Sequence, residues 1–227
     1  MLVRKEATMS KIELKSKILK KNESIAEDIR AELNSNGLWC MNLIGSPGSG
    51  KTTLLEKTMP LLSKKGRCGV IEGDVKTDYD MKRIAALNIP TVQIETSGSC
   101  HLSSEMIKNV LPNFSLEELD FLVIENVGNL ICPVAYDLGE DQRLIVVSIT
   151  EGDEKPLKYP AAFVSADVLV VTKADLEPYV DASVKKMVDN AKSINRNITV
   201  FVTSAKTGEG IDSLTGYFSE AFSAKVE

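Results

Sequence analysis

The stretch Gly45-Ser46-Pro47-Gly48-Ser49-Gly50-Lys51-Thr52 matches the pattern G-x-x-x-x-G-K-[ST] in full. An apolar segment at 38–44 precedes it and is typical of a buried strand, and a helical pattern opens at Thr53. In such a unit the glycines let the backbone wrap around phosphates, with N–H groups and the helix N-terminus directed at the anion. Lys51 would reach the β- and γ-phosphates, and the Thr52 hydroxyl would ligate Mg²⁺. The sequence therefore predicts that Gly45 to Thr53 bind a nucleoside triphosphate.

The composition limits the class of protein. A chain of 227 residues can form one large α/β domain with a full core. Its 27 basic and 32 acidic residues give a net charge of −5, so the electrostatic footprint of a nucleic-acid binder is missing. No apolar run approaches the about 18 residues needed to span a bilayer, and no signal-peptide pattern opens the chain. We expect a cytoplasmic protein without a membrane or nucleic-acid partner, whose four cysteines are reduced thiols.

The order of the apolar segments predicts the architecture. Apolar residues at helical spacing over 10–34 predict an N-terminal helix, so we expect a helical extension at 1–37 packed on a P-loop domain at 38–227. Strands alternating with helices imply right-handed crossovers and a three-layer α/β P-loop NTPase fold, with a mostly parallel seven-stranded sheet and helices on both faces. Strands are expected at 38–44, 68–72, 91–95, 120–125, 143–149, 167–172 and 198–203, and helices at 52–64, 79–87, 103–111, 181–194 and 211–223.

Two acidic residues follow strands where a second magnesium contact is needed. Asp74 ends Val70-Ile71-Glu72-Gly73-Asp74, and Glu125 follows the apolar run at 121–124 in the form of a Walker B motif. Mg²⁺ takes octahedral oxygen ligands and keeps several waters, so one or two carboxylates suffice beside the phosphates. Each acid alone could equally be a helix cap or a solvated loop residue. Next to a P-loop we favour magnesium and water-positioning roles for both.

Two short motifs indicate which base is bound. Thr172-Lys173-Ala174-Asp175 resembles the guanine-reading N-K-x-D motif, with Thr172 in place of the asparagine. Asp175 can accept from the N1 and N2 donors of guanine, which adenine lacks, and the Lys173 stem can cover the base. Further on, Thr203-Ser204-Ala205-Lys206 resembles the S-A-K segment that closes a guanine pocket. Together they favour GTP over ATP.

A third set of residues suits a softer metal than magnesium. His101, the only histidine, directly follows Cys100, and Cys132 lies seven residues beyond Glu125. Thiolate and imidazole ligands suit Zn²⁺ or Ni²⁺. Three protein ligands are one short of a tetrahedral site, which a water or a symmetry-related chain could complete. The alternative is two buried thiols and a surface histidine, and Cys40 and Cys68 are most simply core residues.

Four segments resemble the HypB family, a SIMIBI-class family of GTPases that help deliver nickel to [NiFe]-hydrogenase. They are G-S-P-G-S-G-K-T at 45–52, E-G-D-V at 72–75, S-C-H-L at 99–102 and I-E-N-V-G-N-L-I-C-P at 124–133. The segment at 150–160 is also similar. The resemblance covers about residues 38–215.

The resemblance implies roles for the motif residues. Lys51 and Thr52 would contact the phosphates and Mg²⁺, with Asp74 and Glu125 as the acidic magnesium and water residues. Cys100, His101 and Cys132 would form a Zn²⁺ or Ni²⁺ site at a homodimer interface promoted by GTP. The implied partners are a HypA-type metallochaperone and a hydrogenase large-subunit precursor. Since residues 1–37 contain no cysteine or histidine, the nickel-storage motifs of some family members are not present there.

Several functions compete on these grounds. We expect a metal-regulated GTPase with slow turnover, because no glutamine or arginine is clearly placed to orient water. The related UreG GTPases deliver nickel to urease, but their motif is Cys-Pro-His and not the adjacent pair seen here. A metal carrier with only structural nucleotide and an ATP-dependent ligase remain as alternatives from other classes.

Overall fold

The computed structural model describes residues 2–74 and 79–226, with side chains from residue 16 onward. Val75, the last residue of the E-G-D-V motif, lies outside the described residues. Seven strands form one sheet in the order β3-β2-β4-β1-β5-β6-β7, and every pair is parallel. The strands are β1 (Trp39–Gly45), β2 (Cys68–Asp74), β3 (Thr91–Glu95), β4 (Phe121–Glu125), β5 (Gln142–Ser148), β6 (Val168–Thr172) and β7 (Thr199–Val202).

This sheet confirms the predicted fold class and all seven predicted strands. The near-continuous apolar character of β4 and β6 follows from their burial on both faces of the sheet. Eight helices connect or flank the strands within the described ranges: α1 (Leu2–Ser35), α2 (Lys51–Leu62), α3 (Tyr79–Ala85), α4 (Ser104–Val110), α5 (Lys155–Lys158), α6 (Pro160–Val164), α7 (Val184–Ile194) and α8 (Ile211–Val226).

The helices form a layer on each side of the sheet. Helices α2, α3 and α8 cover one face, where Trp39 lies edge-on to Phe121 and contacts Phe218. Helices α1 and α4 cover one half of the other face, and α6 and α7 cover the remaining half. The three predicted layers are therefore present, with the core split between the two faces.

Helix α1 lies against the sheet face that α4 shares. Its residues Ala26, Ile29 and Leu33 are buried there. Gly139 permits this close approach, because its φ is +87° and a Cβ at that position would collide with Ile29. A bidentate ion pair between Arg30 and Asp137, at 2.7 Å, lies beside this contact.

Two features of the helices differ from the expectation. Helix α1 begins at Leu2 and not near residue 10, so polar residues extend it well beyond the apolar pattern. Helices α5 and α6 were not predicted, since four or five residues are too short to show helical periodicity and each has a proline in its first turn. Among the described residues, no helix is both long and apolar enough to cross a membrane.

Candidate nucleotide and metal sites

The predicted phosphate loop links the central strand β1 to the start of α2. Gly50 takes a left-handed conformation, with φ of 93°, directly before Lys51 opens the helix. A side chain at Gly45 would collide with the carbonyl of Val146 and the hydroxyl of Ser49, so only glycine fits at the base of the loop. The Lys51 ammonium is buried and donates to the Gly45 carbonyl at 3.3 Å. A phosphate cradle is thus formed by this chain alone.

A cleft of about 430 Å³ opens above this loop, and several acidic side chains line it. Asp74 and Glu125, both predicted magnesium residues, line it at the ends of β2 and β4. Glu125 Oε1 accepts a 2.8 Å hydrogen bond from the Thr52 hydroxyl. Glu72, which pairs in register with Glu125, and Asp80 also line the cleft. The structure therefore brings Thr52, Asp74 and Glu125 to one cleft and adds two acids that the sequence did not single out.

Burial perturbs the two glutamates and the lysine in this cleft. Burial raises the pKa of Glu125 to about 7, against the opposing effects of Lys51 and the Thr52 hydrogen bond. Burial and the neighbouring Glu125 raise the pKa of Glu72 to about 8. Burial also lowers the pKa of Lys51. One oxygen of each glutamate is buried with no hydrogen-bond partner among the residues that the structure describes. Crowded, incompletely paired carboxylate oxygens beside a hydroxyl fit a hard divalent cation such as Mg²⁺.

Arg83 is a cleft residue that the sequence did not reveal. Its guanidinium pairs with Glu56 at 2.6 Å and Asp80 at 2.9 Å, and it donates to the Thr53 hydroxyl at 3.0 Å. These carboxylates raise the pKa of Arg83, so the side chain stays charged. Arg83 lies near the phosphate loop because α3 packs against α2, and no local sequence motif predicts that packing.

The predicted base-reading residues enclose a second, smaller pocket of about 170 Å³ next to the phosphate loop. Ser204 donates to Asp175 Oδ1 at 2.6 Å, which orients the carboxylate. Lys173 has a φ of 57°, and its ammonium donates to the Gly48 carbonyl at 2.8 Å. The pocket is lined by Gly50, Thr53, Leu54, Thr172, Lys173, Asp175, Leu176, Thr203, Ala205 and Lys206.

Thr172, which replaces the asparagine of the usual motif, forms a hydrogen bond with the phosphate loop. Its hydroxyl donates to the Ser49 carbonyl at 2.5 Å. The side chain is buried and its hydroxyl is used within the protein, although Thr172 also lines the base pocket. The substitution therefore keeps the contact between the base-reading motif and the phosphate loop.

The three candidate soft ligands lie on two neighbouring loops. Cys100 Sγ is 3.8 Å from His101 Nδ1, and its interaction with Cys132 raises the pKa of the Cys100 thiol. The His101 ring stacks on Tyr136 with centroids 3.9 Å apart, and burial lowers the pKa of the imidazole. Tyr136 gave no signal in the sequence, because only the fold brings it to the histidine.

These ligands are close but not assembled as a metal cage. Within residues 16–74 and 79–226, no group of three or more His, Cys, Asp or Glu side chains is placed to hold a metal ion. Cys100 is exposed and Cys132 is partly exposed, whereas Cys40 and Cys68 are buried, and all four are free thiols. The thiol and imidazole groups of Cys100, His101 and Cys132 are of the kind that suits a soft or borderline metal.

The chain is similar to proteins of one family over most of its length. A family model described as the CobW/HypB/UreG nucleotide-binding domain matches residues 40–202. The hydrogenase maturation factor HypB of Escherichia coli is 43% identical over 201 residues, which are 88% of this chain and 69% of that protein.

Two solved structures are similar over most of their length. The crystal structure of HypB from Archaeoglobus fulgidus is 38% identical with a TM-score of 0.84, covering 89% of this chain and 99% of that one. HypB from Helicobacter pylori, solved in complex with nickel, is 33% identical with a TM-score of 0.84, covering 91% and 97%.

Proposed function

The chain belongs to the HypB group of the CobW/HypB/UreG family, and from that premise we propose that it hydrolyses GTP to control nickel delivery in hydrogenase maturation. The observation that carries the proposal is the placement of two chemically different sets of residues at one edge of one sheet. Phosphate- and base-binding groups follow β1, β4, β6 and β7, while sulfur and imidazole groups follow β3 and β4.

The base pocket supports GTP as the nucleotide. The Asp175 carboxylate, oriented by Ser204, can accept from both N1–H and N2–H of guanine. Adenine presents neither donor there and would leave the carboxylate unpaired, which disfavours ATP. The aliphatic stem of Lys173 reaches across to Gly48 and can cover the face of the base.

Hydrolysis would depend on positioning and charge stabilisation. The Lys51 ammonium and the loop N–H groups would neutralise charge on the phosphates as the γ-phosphoryl group transfers to water. Mg²⁺, held by Thr52, Asp74 and Glu125, would supply further charge neutralisation at the β- and γ-phosphates. We expect slow turnover, because the nearest arginine, Arg83, is already paired with two carboxylates.

Nickel is the proposed cargo, bound by Cys100, His101 and Cys132. Since these ligands are close but not assembled within the described part of one chain, a GTP-promoted homodimer would complete the site across its axis. Zn²⁺ would compete for the same ligands. A HypA-type metallochaperone and a hydrogenase large-subunit precursor are the corresponding donor and acceptor of the metal.

Nucleotide competition and phosphate release test the first half of this proposal. We expect unlabelled GTP and GDP, but not ATP at the same concentration, to displace a labelled guanine nucleotide from the full chain. Phosphate should be released from GTP in a magnesium-dependent reaction. Equal displacement by ATP, or no release from GTP over hours, would refute a GTPase function.

A further inference from the structure

A buried set of polar side chains crosses the centre of the sheet, where apolar residues would be expected. Asn42 on β1 is fully buried, and Asn126 and Glu140 are nearly so. Asn126 Nδ2 donates to Asn42 Oδ1 at 3.2 Å, and Asn42 Nδ2 donates to Glu140 Oε1 at 3.2 Å. Arg143 completes the set with two hydrogen bonds to Glu140 Oε1, at 2.8 and 3.0 Å. We refer to Asn42, Asn126, Glu140 and Arg143 as the central polar network.

One end of the network is at the nucleotide cleft. Asn126 directly follows Glu125 and lines the phosphate cleft, and its N–H donates to the Leu43 carbonyl of β1. Its Oδ1 also accepts from the N–H of Leu102 at 3.3 Å. Leu102 is the residue after His101, so this amide ties the loop of Cys100 and His101 to the strand end that carries Glu125.

The other end of the network is at the loop of Cys132. Arg143 donates to the carbonyl of Val134 at 3.0 Å and to that of Tyr136 at 3.2 Å. These residues lie two and four positions beyond Cys132, and the Tyr136 ring stacks on His101. The network therefore has hydrogen bonds to the backbone of both loops that carry the candidate soft ligands.

The free-energy cost of leaving a buried polar group unpaired suits this network to transmitting a displacement from one loop to another. A buried amide that loses its partner retains an unsatisfied polar group, which costs more than an average hydrogen bond contributes. Members of a satisfied buried network consequently shift together or not at all. A displacement at Glu125 would therefore be transmitted through Asn126 to both ligand loops, while an apolar core would absorb it by small packing changes.

We propose that the central polar network positions Cys100, His101 and Cys132 according to the nucleotide bound at Glu125. The proposal rests on the proposed function, because it names the residues that would couple GTP to metal binding. These residues are positioning residues and do not themselves contact the nickel cargo. This role gives a reason for a fully buried amide at position 42 of an otherwise apolar strand, where it joins Asn126 to Glu140.

Replacing Asn42 tests the link at its centre. Asn42→Leu keeps the branched shape of the side chain and removes both central hydrogen bonds, and Asn42 lines neither the phosphate cleft nor the base pocket. We expect nickel affinity to become equal, within about twofold, in the GDP and GTP-analogue states, since the coupling free energy is carried by the network. GTP affinity should stay within about threefold of the wild type. Asn195→Ala is the matched control, because it removes a half-buried amide that joins the carbonyls of Phe163 and Ala166 far from both sites.

A second variant keeps the test decisive if Asn42→Leu folds poorly. Arg143→Lys preserves the positive charge next to Glu140. A lysine ammonium cannot, however, donate to the carbonyls of both Val134 and Tyr136 as the planar guanidinium does. It should also reduce the difference in nickel affinity between the two nucleotide states. Amide exchange at Leu102 gives an independent readout, and we expect a GTP analogue to change its protection in the wild type but not in Asn42→Leu.

The outcomes separate this proposal from the proposed function. If the wild-type chain binds nickel equally in both nucleotide states, the coupling itself is absent and the proposed function fails. If the wild type shows coupling and both variants retain it, the network assignment is overturned. If Asn42→Leu weakens nickel binding by the same factor in both states, the network is only a structural support and the proposal is also overturned.

Discussion

The two nucleotide pockets, here called the nucleotide end, and the loops of Cys100, His101 and Cys132, here called the metal end, lie at the same edge of the sheet. They differ in how completely the side chains of a single chain are arranged as a binding site. At the nucleotide end, Thr172 and Lys173 donate to loop carbonyls, Ser204 orients Asp175, and Lys51 is already in place. At the metal end, the ligands sit on two loops, are partly exposed, and are not gathered into a cage among the described residues. Among the described residues, the candidate nucleotide groups are therefore held by hydrogen bonds to one another or to the phosphate loop, whereas the candidate metal ligands are not gathered into one group.

The two ends also differ in how deeply their ionisable groups are buried. The cleft buries the carboxyl groups of Glu72 and Glu125, and this burial raises the pKa of each. The pKa of the Cys100 thiol is also raised, mainly by its hydrogen bond with Cys132 near the surface. A metal would have to displace the thiol protons as it binds. Metal binding at this end should therefore be easier to regulate than nucleotide binding.

The largest expected effect separates the two ends by removing Lys51. Lys51→Ala should lower the rate of GTP hydrolysis by about 100-fold or more, the loss typical of removing one transition-state donor. Nickel affinity of the nucleotide-free chain should not change. Phosphate release and nickel titration measure the two effects, with Lys57→Ala, an exposed lysine on the same helix, as the control. Undiminished hydrolysis would mean that the cleft does not act as a P-loop site.

The converse change is Cys132→Ser, at the metal end. Nickel affinity should fall by at least about tenfold, since even outer partners of a metal site contribute that much. GTP hydrolysis measured with magnesium and without nickel should stay within about twofold, because the substitution lies outside the cleft. Cys68→Ala serves as the control, as this buried thiol lies away from both sites. A normal nickel affinity for Cys132→Ser would remove Cys132 from the ligand set.

A smaller effect is expected within the nucleotide end. Asp175→Asn should weaken GTP binding by about 10- to 100-fold, the range for hydrogen bonds to a charged group. An asparagine offers one acceptor oxygen and presents its NH₂ group to the guanine donors, whereas the N1 acceptor of adenine can accept from that NH₂ group. Competitive nucleotide titration measures the change, and the exposed Asp181→Asn is the matched control. Equal losses for GTP and ATP would show that Asp175 is structural.

The smallest effect concerns the pH dependence of stability. The folded pKa values of Glu72 and Glu125, about 8 and about 7, lie above the ordinary value of 4.5. The folded state therefore binds more protons than the unfolded state between about pH 5 and pH 8, so stability is fully present at the low end and falls as pH rises. Without nucleotide and magnesium, we therefore expect the free energy of unfolding to decrease as the pH rises over this range.

Denaturant unfolding of the free chain across this range measures the loss. Glu72→Gln should flatten the pH dependence, because a neutral amide has no proton to lose, while the exposed Glu117→Gln should leave it intact. Burial lowers the pKa of Lys51, which acts in the opposite direction, but Lys51 is present in the wild type and in both variants. Stability that rises between pH 5 and pH 8 in the wild type would contradict this account of the cleft.

The nucleotide end was largely predictable from the sequence. A P-loop pattern fixes a strand, a turn and a helix in consecutive residues, so Gly45 to Thr53 and the neighbouring strands follow from local rules. Parallel strands end at one edge, which accounts for the correct placement of Asp74, Glu125 and Asp175 in two adjacent pockets. The order of the strands in the sheet did not follow, because it depends on how helices pack across the faces.

The surroundings of the metal end were much less predictable. Cys100, His101 and Cys132 are recognisable by residue type, but their distances depend on two loops that only the fold brings together. Tyr136 and Arg83 gave no signal, because each acts through a neighbour that is remote in sequence. Asn42 did carry a signal, as a polar residue within an apolar strand, and its partners Asn126 and Glu140 became visible only in the folded chain.

The central claim is that the state of the nucleotide end sets the affinity of the metal end. Titration of Ni²⁺ into the full chain, saturated either with GDP or with a non-hydrolysable GTP analogue, tests it most directly. We predict affinities that differ by at least about fivefold between the two states, the lower range of allosteric coupling. Identical nickel affinities with both nucleotides fully bound would contradict the account.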